Sequence, residues 1–174
     1  MERAVEVPEG VDGTVEGVCV TIKGDLGEIK RCFNYPGVAI SKSDKTIKIS
    51  GKSPKRRDIA VLGTIQSHLD NMISGVQKEF VFNMTCVYAH FPMSVKVQGS
   101  DIQIQNFLGE RNPRKLKVSE GVKVVVNGDE ITLSGINKEL VAQAAGKLEK
   151  ACYKGNRDPR KFQDGIYPVG WHHD

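Results

Sequence analysis

Val122-Lys-Val-Val-Val-Asn-Gly-Asp-Glu-Ile-Thr-Leu-Ser-Gly135 decides the fold. Two runs of β-branched and apolar residues flank Asn127-Gly128, a pair that tolerates positive φ and so favours a tight hairpin. Ile131-Thr-Leu133 returns as the second strand. The apolar period then changes to that of a helix. Asn137 caps it, and Leu140, Val141, Ala144, Leu148 and Ala151 line one face. A hairpin running straight into an amphipathic helix predicts a helix packed on an antiparallel sheet.

The same plan occurs earlier in the chain. Ile47-Lys-Ile-Ser-Gly51 parallels Ile131-Thr-Leu-Ser-Gly135, and Asp25-Leu-Gly-Glu28 parallels Phe107-Leu-Gly-Glu110, in the same order and at similar intervals before a helix. Matches in the same order imply duplication. In the first half Ser53 and Pro54 read as the cap and first residue of a helix. Its stripe is Ile59, Leu62, Ile65, Leu69, Met72, Ile73 and Val76, ending near Gly75. Before it come short strands at Val5–Val7, Val15–Ile22, Ile29–Phe33, Val38–Ile40 and Thr46–Ile49, with a tight turn at Ser43-Asp-Lys45. In the second half Phe80–Phe82, Cys86–Tyr88, Val95–Val97, Ile102–Ile104 and Leu116–Val118 alternate as strands. The boundary falls between Gln77 and Phe82. The expected fold is α+β: two tandem similar domains, 1–79 and 80–174, each an antiparallel sheet with a helix packed on one face, the second carrying a basic tail.

That tail follows the second helix. Lys154-Gly-Asn-Arg-Asp-Pro-Arg-Lys-Phe-Gln-Asp-Gly-Ile-Tyr167 contains Lys154, Arg157, Arg160 and Lys161, interleaved with Phe162 and Tyr167. Gly155, Pro159 and Gly165 keep it from continuing as a helix. Cations and aromatics on an irregular segment suit phosphate contact and base stacking. Asp158-Pro159 reads as a turn, and Gly165 as a positive-φ residue; both would present the flanking cations. Lys147, Lys150 and Lys154 also complement the negative end of the helix dipole. An Arg160–Asp164 ion pair is the structural alternative for one of the arginines. Arg111-Asn-Pro-Arg-Lys115 adds Arg111, Arg114 and Lys115 on a loop ahead of a strand, and Lys52–Arg57 forms a further acid-free cluster. Taken together the loops point to RNA, with Arg111, Arg114, Lys115, Lys154, Arg157, Arg160, Lys161, Phe162 and Tyr167 as the binding residues. Trp171 has two readings, a contact with a neighbouring surface or with a base.

Other function classes find little support. The net charge over 174 residues is +4, from 25 Lys+Arg against 21 Asp+Glu, so the total by itself identifies no partner. No apolar run approaches the ~20 residues of a membrane span, and Met1–Pro8 lacks the apolar region of a signal peptide. A cytosolic protein without a membrane partner is expected. Cys19, Cys32, Cys86 and Cys152 form no C-x-x-C pair and read as reduced, buried thiols. His172, His173 and Asp174 lie on an end expected to be disordered, without the closed geometry of a metal site. His68 and His90 read as structural, no phosphate-cradling loop is present, and Asp129-Glu130 sit in a solvated turn. The expectation is no enzyme, no cofactor, no metal and no small-molecule substrate. A hydrolase built on His90 or Cys86 would need a solvent-lined Cys/His pocket.

The tail carries a resemblance as well. Arg157-Asp-Pro-Arg-Lys-Phe-Gln-Asp-Gly-Ile-Tyr167 resembles the C-terminal signature of the family of universal large-subunit ribosomal protein six, in its archaeal and eukaryotic form. Val87-Tyr-Ala-His-Phe-Pro92, Asn106-Phe-Leu-Gly-Glu-Arg111 and Ile131-Thr-Leu-Ser-Gly135 are similar to it too. The resemblance spans essentially the whole chain and is most specific at the C-terminal motif. Bacterial members end differently, in a Lys/Gly-rich segment. The resemblance implies a duplicated architecture and a structural role in the large ribosomal subunit. It further implies binding to large-subunit rRNA near the stalk base, factor-binding region and sarcin–ricin loop, with other large-subunit proteins as neighbours. It places the main RNA contact in the C-terminal half and tail. Pro168-Val-Gly-Trp-His-His-Asp174 departs from the family pattern. The alternative function is a freestanding RNA-binding or protein-interaction module outside the ribosome.

Overall fold

A computed structural model describes every residue except Asp44, Pro54, His173 and Asp174. The turn expected at Ser43–Lys45, the helix start at Pro54 and the last two tail residues therefore fall wholly or partly outside the described residues. Contacts divide the chain into two compact units, Met1–Glu79 and Phe80–Asp174. Each combines antiparallel sheets with one long helix, so the chain is two tandem α+β domains.

In the first unit, β1 (Glu2–Glu6), β6 (Thr46–Gly51) and β5 (Val38–Ser43) form one antiparallel sheet in that order. A second sheet runs β2 (Asp12–Glu16), β3 (Cys19–Gly24) and β4 (Gly27–Cys32). Helix α1 (Arg56–Gln77) packs on β1, β3, β4 and β6. Its apolar stripe Leu62, Ile65, Leu69, Met72, Ile73 and Val76 is buried against Val20, Ile22, Ile47 and Ile49.

The second unit repeats this plan and adds one strand. β8 (Ser94–Gln98), β9 (Asp101–Gln105) and β10 (Arg114–Lys117) form its three-stranded sheet. The other sheet runs β11 (Lys123–Asn127), β12 (Glu130–Gly135), β7 (Phe80–Val87) and β13 (Gly165–Trp171). Helix α2 (Lys138–Ala151) buries Val141, Ala144, Ala145 and Leu148 against Met84, Ile131 and Leu133. The duplicated Ser-Gly ending has a physical reason. A Cβ on Gly51 would stand 3.1 Å from Leu62 of α1, and one on Gly135 would stand 3.1 Å from Val141 of α2 and 2.7 Å from the Gly121 carbonyl. Each glycine lets the first buried side chain of its helix close on the strand end.

Several local expectations change. Val15–Ile22 is a hairpin: Glu16 pairs with Cys19, and Gly17 turns the chain at φ +65°. In the β11–β12 hairpin Asn127 pairs with Glu130, so Gly128-Asp129 is the loop. Positive φ occurs at Gly128 alone (+61°), the pattern of a II′ turn. Helix α1 begins after Lys55, which makes no side-chain cap; Ser53 accepts from the Lys55 amide at 3.4 Å instead. Gly75 lies buried inside α1, not at its end. Cys19 and Cys32, opposite each other on β3 and β4 with Cα atoms 3.9 Å apart, are joined in a disulfide. Only Cys86 and Cys152 are the buried free thiols expected.

The largest difference is β13. The segment from Gly165 to Trp171, read as irregular chain leading into an end expected to be disordered, pairs antiparallel with β7, and the His172 amide continues the pairing to the Val81 carbonyl at 2.9 Å. β13 is an edge strand, which accommodates Pro168, and a register shift between Pro168 and Gly170 absorbs the irregularity. Trp171 meets Phe82 edge-on at 4.9 Å and Phe80 at 5.9 Å, with Lys138 Nζ 5.5 Å from its ring. Its surface contact is therefore with its own sheet.

Candidate nucleic-acid interface

Residues 152–164 connect α2 to β13 and are held at both ends. At the helix end the Cys152 amide donates to Glu149 and the Tyr153 amide to Lys150, and Gly155 reverses the chain at φ +66°. At the strand end Asp164 is buried, and its Oδ1 accepts from the Ala89 amide at 3.3 Å. Between them Asp158 organises a turn. Its carboxylate accepts from the Arg160 amide at 2.9 Å, and its carbonyl accepts from the Lys161 and Phe162 amides at 3.1 and 3.0 Å. Bonds to the Asp158 carboxylate and carbonyl therefore fix this turn without using its cationic side chains.

Arg157, Arg160, Lys161 and Phe162 are exposed on it. Arg157 lies 5.4 Å from the Phe162 ring centre, a cation–π pairing that leaves the guanidinium edge open. Among the described residues Arg160 and Lys161 make no side-chain hydrogen bond or ion pair, the Arg160–Asp164 pair included. Lys154 donates to the Tyr167 phenol oxygen at 2.7 Å. An ammonium has three N–H groups, so it retains donors for a phosphate. Tyr167 is half-buried on β13 and positions Lys154 instead of projecting freely. Gly165 is extended, not at positive φ. A Cβ there would stand 3.2 Å from the Tyr167 ring, so any side chain at 165 would need that ring to give by a few tenths of an ångström.

The loop before β10 divides in role. Arg111 is exposed, and among the described residues its side chain has no partner. Arg114 turns inward. It donates to both Glu110 oxygens at 2.6 and 2.8 Å and to the carbonyls of Ala151 and Tyr153, each at 2.8 Å. Its guanidinium carbon is 4.2 Å from the Phe107 ring centre. These bonds leave one of the five guanidinium N–H groups for any phosphate. Arg114 thus ties this loop to the end of α2, satisfying carbonyls left orphaned there. Strand alternation puts Lys115, exposed, on the face opposite Arg114. Glu110 is held below the ordinary carboxylate range, first by the Arg114 hydrogen bond; Arg157 also contributes, which places the tail beside this loop.

Sequence reading missed Tyr153. It is 69% exposed and borders an open, largely apolar cavity of about 440 Å³ between α2 and the tail. An aromatic just past a lysine-rich helix end was the available signal. The chemistry of the other candidate groups is quieter. Burial, and then Cys152, push the Cys86 thiol up to about 11, so it stays protonated and is a poor nucleophile at neutral pH. His90 is exposed and packs edge-on against Phe91 at 4.6 Å. Among the described residues no three His, Cys, Asp or Glu side chains are grouped to hold a metal, and no helix is long and apolar enough to cross a membrane.

Comparison with known proteins agrees with this architecture. The profile of the family described as Ribosomal protein L6 matches residues 7–79 and again 91–165. The chain belongs to the ribosomal protein L6 family. Both copies of the L6 domain carry the sheet-and-helix plan described above, and β13 lies almost entirely beyond the second match. Archaeal members are similar over nearly the full length. The large ribosomal subunit protein uL6 of Methanobrevibacter smithii is 48% identical, over 97% of this chain and 95% of that protein. That of Methanosphaera stadtmanae is 49% identical over 95% and 90%, and that of Methanospirillum hungatei 41% over 97% and 96%. The chain is of the archaeal L6 type.

Proposed function

We infer that the chain is a structural constituent of the large ribosomal subunit, acts in the cytoplasm, and anchors itself to large-subunit rRNA through its second domain. The observation that carries the site is the Asp158 turn. It displays Arg157, Arg160 and Lys161 at the surface with their backbone fixed and, for Arg160 and Lys161, no partner inside the chain. Such cations cost little to hold in place and are available to neutralise phosphates. Arg111, Lys115 and Lys154 extend the contact, Phe162 supplies a stacking face, and Tyr167 and Arg114 support it from below. The mechanism is charge neutralisation with shape readout, and no bond is made or broken.

Placement near the stalk base and the factor-binding region rests on the family resemblance. Neighbouring large-subunit proteins complete the set of partners. The test is co-sedimentation with large subunits lacking this protein. Binding at low salt with release at high salt is expected, and footprints should fall on rRNA at the stalk base. A protein that stays with no subunit at low salt would favour a freestanding RNA-binding module.

A further inference from the structure

Gly146 is kept by neither a positive φ nor a close neighbour. Gly146 lies in the interior of α2, where glycine destabilises a helix relative to alanine. A Cβ added there meets nothing within 4 Å. Gly51 and Gly135, by contrast, are kept by close neighbours. What the missing side chain leaves open is the wall of the cavity between α2 and the tail.

That cavity has the makings of a base site. Its volume, about 440 Å³, falls in the range of small-ligand pockets. Ile166 and Cys152, both buried, contribute to its lining, and the rings of Tyr153 and Tyr167 and the Pro159 ring offer flat or apolar walls. Tyr167 is held against Gly165 and by the Lys154 bond, and the Tyr153 backbone is held by Arg114. Lys150, Lys154 and Arg157 border the cavity against a single acid, Glu149. Apolar walls within a cationic rim match a nucleobase with its phosphate better than a peptide side chain or a duplex backbone.

We propose that this cavity receives an unstacked nucleobase of the bound RNA, with Tyr153 as its stacking face and Lys154 and Arg157 on the adjoining phosphate. The proposal rests on the reading of the C-terminal segment as the RNA contact and goes beyond it in specifying an unpaired nucleotide. Gly146 is then the residue that keeps the entrance clear.

The test uses the full chain and two probes, a short oligoadenylate and a fully paired RNA duplex, with binding followed by NMR titration. Gly146→Leu projects a bulky side chain into the cavity mouth, and Tyr153→Ala removes the stacking face. Gly146→Leu should melt at the same temperature as wild type or higher, since it replaces a helix-interior glycine in open space. Both variants should lose roughly tenfold in oligoadenylate affinity while keeping duplex affinity. Wild-type affinity for oligoadenylate in both, or equal losses on the two probes, would overturn the proposal. A triple variant Arg157→Ala/Arg160→Ala/Lys161→Ala separates the levels. If it loses RNA binding while Gly146→Leu and Tyr153→Ala do not, the base pocket fails and the phosphate contact stands. If none of the variants loses binding, the RNA reading of the segment fails with it.

Discussion

Arg114 grips Glu110 through two hydrogen bonds, of 2.6 and 2.8 Å, and with the same guanidinium holds the carbonyls of Ala151 and Tyr153. One side chain thereby joins the turn before β10 to the end of α2, from which the cationic tail departs. Arg114→Lys offers three donors from a point instead of a planar fork and leaves acceptors unmet. It should destabilise the protein by roughly 1 kcal/mol, since only the Ala151 carbonyl bond is part-buried and water can reach the other acceptors. Urea denaturation measures it; a change within error would mean that water replaces the arginine at no cost.

The same pair predicts an acid response. The Glu110 carboxyl lies below its ordinary value of 4.5 because Arg114 donates to it. A carboxyl depressed in the folded state stabilises the fold above its unfolded value, and that contribution is lost as pH falls through the folded value. The stability difference between wild type and Glu110→Gln should therefore be constant near neutrality and shrink below about pH 4.5. Melting temperatures of both proteins across that range give the answer, and a gap that does not narrow would contradict the assignment.

The second unit should fold without the first. A fragment Phe80–Asp174 contains both of its sheets, α2 and a continuous core from Met84 to Ile166. It should show dispersed amide signals and cooperative melting. A fragment ending at Gln163 loses β13, the buried Ile166 and the Asp164–Ala89 bond, and should be unfolded or strongly destabilised. If the shorter fragment melted like the longer one, β13 would be an accessory strand.

Gly165→Ala tests how the tail is seated. The new methyl would meet the Tyr167 ring at 3.2 Å, so the ring must shift, and its 2.7 Å bond with Lys154 should weaken. Replacing the ring as well, Gly165→Ala/Tyr167→Leu, should cost less than the sum of the single changes, since the two sites touch. Additive losses in melting experiments would show that the ring is not what requires a glycine.

These elements also show what a sequence exposes. The β11–β12 hairpin and α2 were legible because their signals are local: β-branched runs about a glycine turn, then an asparagine cap whose side chain accepts from Glu139. The exposed cations of the tail were legible for the same reason, being clustered on a segment whose glycines and proline rule out a helix. β13 was hidden because Gly165, Pro168 and Gly170 break the alternation and its partner, β7, lies far back in the chain. The inward role of Arg114 was hidden because its carbonyl partners lie 37 and 39 residues further on. Gly165 reads locally as a positive-φ residue, whereas it is extended and lies close to a ring two positions further on.

The central claim is that the Asp158 turn binds rRNA by neutralising phosphates. The measurement that tests it most directly is a salt titration of wild type and the Arg157→Ala/Arg160→Ala/Lys161→Ala variant against one large-subunit rRNA fragment. Loss of three phosphate contacts should weaken binding at low salt and make the log–log slope shallower by up to roughly three units. The variant should remain folded, because surface changes of this kind usually alter stability by only about 0.5 kcal/mol. A folded variant with wild-type affinity and an unchanged slope would contradict the account.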